Sequence, residues 1–184
     1  MEEFSKYISL CFHDVPTSVS VGLFLVSCLG GVLLLVFLGW RNGMKWSTRL
    51  LMLAYLILLF LLAVGSRSVG SVRSFSLTPF WSYRAIYEGN RPLLIQAIMN
   101  VLAFVPVGVL LGCSFSKMKW WKVLLIGGSV SVTIEVLQLA FKRGFAEFDD
   151  VFHNVSGCMI GYGIYVGLVC VINRINKRDG HCIE

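Results

Sequence analysis

The stretch VTIEVLQLAFKRGFAEFDDVFHNVSG, Val132 to Gly157, sets a carboxylate, an amide, an arginine, three further acids and a second amide across the gap between two apolar runs. Glu135 and Gln138 are three residues apart and share one face of a helix. Asp150 and Asn154, four apart, share one face of the next. Arg143, Glu147 and Asp149 are expected in the short connection between the two helices. A charge at the centre of a membrane helix costs roughly 2.5–3.5 kcal/mol, so Glu135 inside an apolar run marks a functional position.

Outward from this stretch the chain is strongly apolar. Its 184 residues are 57% hydrophobic and 14% charged, with a mean hydropathy of +0.77. A soluble domain of this size needs more charge to cover its surface, so the chain reads as an integral membrane protein. The formal charge of +6 does not indicate nucleic acid, because the Lys and Arg residues sit in short segments beside apolar runs. Six cysteines without a CxxC pair indicate buried thiols rather than a zinc site or a disulfide framework. Acidic Glu2 and Glu3 at the start are unlike the basic n-region of a signal peptide.

Apolar runs long enough to span a bilayer lie at about 19–40, 49–65, 93–113, 123–141 and 151–172. The expectation is an all-α, polytopic bundle of about five spans, forming a single membrane domain over residues 1–184. Arg41, Lys45 and Arg49, then Lys117, Lys119 and Lys122, then Arg174, Lys177 and Arg178 form three dense clusters on one side, flanked by Trp40, Trp46, Trp120 and Trp121. By the positive-inside rule that side is cytoplasmic, with the N-terminus outside and the C-terminus inside. The central stretch then faces outward.

At 1.5 Å per residue, Asn100, Glu135 and Asn154 are expected at one level, roughly 6–11 Å below the outer ends of their spans. With Gln96, Gln138 and Ser131 they outline a polar pocket between the third, fourth and fifth spans, above a seam of small residues that includes Gly157 and Gly161. Gly163 and Gly167 form a second small-residue pair, also expected to pack helices of the same chain. The segment from Ser66 to Pro92 mixes Phe80, Trp81, Tyr83 and Tyr87 with Arg73, Arg84 and Arg91. It reads as an interfacial lid that either anchors in the headgroup zone or contacts a ligand.

Three blocks resemble the VanZ-like family of membrane proteins: LTPF at Leu77–Phe80, NVLAFVPVGVLLG at Asn100–Gly112, and the EVLQ, KRGFAEFDDVFHN and SGCMIGY stretches between Glu135 and Tyr162. The resemblance covers about 77–167, and the first two spans, up to Val64, carry little of it. It matches Asn100, Phe104, Pro106 and Gly108 to the family's first polar helix, and Glu135, Gln138, Arg143, Asp150, Asn154, Gly157 and Gly161 to the next two. Of the adjacent acids, Asp150 is expected at the family's acidic position from its spacing to Asn154. The resemblance implies low-level resistance to teicoplanin-type lipoglycopeptides, exerted at the cell envelope.

Three readings of the site follow from the residues. Asn100, Gln138, Arg143, Asn154 and Arg84 are candidates to hold a lipid headgroup or a lipoglycopeptide. Alternatively Glu135, Asp149 and Asp150 ligate Mg²⁺ or Ca²⁺ and serve as the catalytic groups of a metal-dependent enzyme acting on an envelope (pyro)phospholipid or surface polymer. In the third, the polar groups only hydrogen-bond the helices together. His153 and Ser156 are weak candidates for base and nucleophile.

Overall fold

A computed structural model describes residues 45–65, 74–115 and 117–178; the first expected span, 19–40, lies outside the described residues. Helix α1 covers Lys45–Phe60 and runs on as a π-helical turn, Leu61–Gly65. A three-residue strand β1 (Ser74–Ser76) and a short helix α2 (Trp81–Tyr87) follow. The long helices α3 (Arg91–Ser114) and α4 (Trp120–Phe141), the strand β2 (Phe145–Glu147) and the helix α5 (Phe148–Arg178) complete the order. Four stretches, Trp46–Gly65, Arg91–Ser114, Trp120–Phe141 and Phe148–Ile175, are long and apolar enough to cross a membrane, so the described chain is a polytopic helical bundle.

Local chemistry sets the ends. Pro92 stands in the first turn of α3, where its missing N–H is no loss, and the Asn90 side chain accepts the Leu93 N–H at 3.3 Å. Helix α3 then continues through Pro106. Helix α4 stops at Lys142, which takes a left-handed conformation (φ 55°), and the Arg143 N–H closes the turn on the Gln138 carbonyl at 2.8 Å. The chain leaves this cap directly into β2, which pairs in parallel with β1, Phe75 opposite Ala146. That pairing joins segments about 70 residues apart and has no periodic signature in so short a strand.

Helix α3 packs most extensively on α5. A Cβ added to Gly157 would fall on the Val101 carbonyl oxygen, one on Gly161 on that of Val105, and one on Gly108 on that of Cys158. The two backbones therefore lie in direct contact, the close approach that small residues permit where lipid supplies no hydrophobic driving force. At Gly163 and Gly167 nothing among the described residues approaches within 4 Å of an added Cβ. Phe104, Val107 and Leu111 of α3, Val123 and Ile134 of α4, Cys158 of α5, and Leu59 and Val64 of α1 form the buried core.

These contacts separate two glycines that look alike in the chain. Gly161→Val should destabilise the fold by at least about 2 kcal/mol through overpacking. Gly163→Val should stay within about 0.5 kcal/mol of wild type, as an exposed substitution does. Thermal melts of both variants in detergent, with membrane abundance alongside, check the contrast.

Candidate functional site

The polar residues of α3, α4 and α5 form a hydrogen-bonded column at the end of the bundle where α3 begins and α4 ends. At its rim Gln96 of α3 donates through Nε2 to both carboxylate oxygens of Asp150, at 3.3 and 3.1 Å. Deeper, Asn154 of α5 donates to Ser131 Oγ of α4 at 2.8 Å. Glu135 lies beside β2, where its Oε2 accepts the Glu147 N–H at 3.0 Å. Asn154 thus faces Ser131, one helical turn along α4 from Glu135. Glu135, Gln138, Glu147, Asp149, Asp150, His153 and Asn154 are all buried.

Arg143 and Gln138 turn toward α1. Arg143 Nη1 donates to the carbonyls of Val64 and Gly65 at 3.3 and 2.5 Å, a cation on the exposed carbonyls of a helix C-terminus. Gln138 Nε2 donates to the Ala63 carbonyl at 3.0 Å. Both groups close the π-helical turn. Arg84 stands on the surface, its side chain 85% exposed and paired with Glu88.

Asp149 has a role that its spacing does not announce. It is fully buried in the first turn of α5 and accepts the N–H groups of Phe80 and Ser82 at 2.6 and 3.0 Å and the Ser82 hydroxyl at 2.5 Å. These donors stand at the N-terminus of α2, where a carboxylate satisfies groups that the helix leaves open. The pairing crosses 67 residues or more, so only a carboxylate far along the chain could have hinted at it. Nearby, His153 Nε2 lies 3.0 Å from the Tyr83 hydroxyl. Phe80 packs edge-on against Tyr83 and Phe152 at 5.8 and 5.6 Å. The expected lid is therefore pinned to α5, while Phe75, Leu77, Phe80 and Tyr87 keep exposed apolar surface.

The three acids proposed as cation ligands occupy three separate sockets: Glu135 against β2, Asp149 under α2, Asp150 against Gln96. Among the described residues no group of three His, Cys, Asp or Glu side chains is placed to share an ion. Hydrogen-bonding capacity does remain open. Asn100 Nδ2, Gln138 Oε1 and His153 Nδ1 are buried and have no partner among the described residues.

The fold defines a polytopic α-helical membrane protein, with buried polar residues gathered at one end of its bundle. A family model described as VanZ/LLP1 matches residues 46–172, and the chain belongs to that family. The match begins at the start of α1, earlier than the sequence blocks suggest, and α1 supplies the carbonyls that Gln138 and Arg143 bind. A curated relative, Protein VanZ of Enterococcus faecium, is 31% identical over 93 residues, which is 50% of this chain and 53% of that protein. The chain thus matches about half the length of that relative. No solved structure matches the chain.

Two expected outcomes test the brace between α2 and α5. Asp149→Asn turns an amide N–H toward donors and should cost about 1–3 kcal/mol, read as faster hydrogen exchange at Phe80 and Ser82. Burial first, and then the negative charge of Asp149, push the Tyr83 phenol above its usual value. Its contribution to docking is therefore complete below the ordinary tyrosine pKa of about 10 and is lost as pH rises through the higher folded value. Phenolate absorbance should titrate in part late, and Tyr83→Phe should reduce the amplitude of that late phase by one tyrosine.

Proposed function

We propose that the chain acts as a multi-pass protein of the bacterial plasma membrane, with its polar column facing outward. There it confers low-level protection against teicoplanin-type lipoglycopeptides. The column between α3, α4 and α5 holds a lipid headgroup or the lipoglycopeptide itself. The observation that carries this reading is the buried Asn100 Nδ2 of α3, which has no partner among the described residues, with Gln138 Oε1 and His153 Nδ1 likewise open at the same end of the bundle. Inside a bilayer no bulk water satisfies such groups, and each costs several kcal/mol when left open. A headgroup rich in hydroxyl or amide groups supplies the missing partners.

Binding is favoured over metal-dependent catalysis because protein donors already engage each candidate carboxylate in its own socket. Membership of the VanZ/LLP1 family and the four apolar helices of spanning length support the membrane setting.

Teicoplanin susceptibility of a sensitive Gram-positive host carrying the gene tests the proposal, with membrane levels of each variant followed by blot. Asn100→Ala and Asp150→Asn should each weaken protection by about 2- to 10-fold, the worth of one hydrogen bond of 0.5–1.5 kcal/mol. Full protection by both variants at normal levels would overturn the binding site. Complete loss in Asp150→Asn alone would point instead to chemistry at that carboxylate.

A further inference from the structure

The opposite end of the bundle carries a second site. Arg49 of α1 donates through Nε to the Ser114 carbonyl at the end of α3, at 3.4 Å. Its guanidinium lies 5.1 Å from the Trp46 ring and 5.3 Å from the Phe115 ring. One donor of the five is thus used and the plane is held by two aromatic faces, while the terminal nitrogens have no partner among the described residues. Beside it runs the α3–α4 connection. The Tyr162 hydroxyl fixes that connection by donating to the Met118 carbonyl at 2.8 Å. It presents Lys117 and Lys119 exposed, and Lys122 follows over the Trp121 ring at 5.5 Å.

No described carboxylate stands at this end: Glu88, Glu135, Glu147, Asp149 and Asp150 all lie toward the other. Trp46, Trp120 and Trp121 are exposed around the cations, as amphipathic rings are in the headgroup zone of a bilayer. A pre-oriented guanidinium fork matches a phosphate bidentately, and its side-chain entropy is already spent on the rings and the carbonyl.

We propose that Arg49, set against Trp46 and Phe115 at the end of the bundle that also carries Lys117, Lys119 and Lys122, binds the phosphate of an anionic phospholipid headgroup. This site is separate from the polar column. The lysines supply a local field, and Arg49 supplies the directed contact.

Native mass spectrometry of the full chain released from phosphatidylcholine nanodiscs doped with phosphatidylglycerol tests it. Wild type should retain phosphatidylglycerol over phosphatidylcholine by about 5-fold or more, the equivalent of about 1 kcal/mol per cation at a membrane surface. Arg49→Gln should abolish the preference. Arg49→Lys keeps the charge but loses the fork, and should fall to within about 2-fold of no preference. Lys117→Gln should keep most of the preference. Equal retention of the two lipids by wild type would overturn the site. So would wild-type preference in Arg49→Lys, or a loss in Lys117→Gln as large as in Arg49→Gln, which would describe a diffuse field. A thermal shift from inorganic phosphate alone as large as that from phosphatidylglycerol would assign the site to free anions and overturn the lipid. Teicoplanin protection plays no part in these readouts, so either site can fail without the other.

Discussion

The rest of the described structure depends on the backbone contact between α3 and α5. Gly157 and Gly161 sit against the carbonyls of Val101 and Val105, and Gly108 sits against that of Cys158. Lipid gives two helices no hydrophobic reason to associate, so the gain comes from close packing and from polar groups that find each other once the helices touch. With the backbones this close, Gln96 reaches Asp150 above the contact. Asn154 is turned toward α4, where Ser131 receives it. The polar column is a consequence of the glycine seam beneath it.

A second constraint fixes the surface above the column. Asp149 buries a carboxylate against three donors around the start of α2, and the β1–β2 pair holds the preceding segment to the same place. Adjacent acids thereby divide the work. Asp149 braces the start of α2, and Asp150, one residue on, faces Gln96 of α3. Arg143 does a related task at the end of α1, where its Nη1 covers the last carbonyls. Much of the conspicuous polarity of Val132–Gly157 is spent on assembling this end of the bundle, and among the described residues open capacity remains on Asn100, Gln138 and His153.

The two ends of the bundle differ in kind. One gathers buried acids and amides that pair with backbone and with each other. The other gathers exposed cations among exposed tryptophans, with the Arg49 guanidinium over the rings of Trp46 and Phe115. An anionic lipid at the second end and an envelope ligand at the first would engage opposite leaflets.

The sequence by itself determined the class. Apolar runs of spanning length at about 49–65, 93–113, 123–141 and 151–172 mark the four long helices within a few residues, because hydrophobicity over some twenty residues is a local property. The three- and four-residue spacings put Gln138 with Glu135, and Asn154 with Asp150, for the same reason. Only the tertiary structure decided partners. Asp149 with Ser82, Arg143 with the end of α1, Tyr83 with His153, and β1 with β2 join residues about 70 or more apart in the chain. Nor could spacing tell the Gly157–Gly161 pair, pressed on α3, from Gly163–Gly167, which meets nothing among the described residues. A helix repeats its pattern on every face, and which face is covered depends on neighbours that the local pattern does not specify.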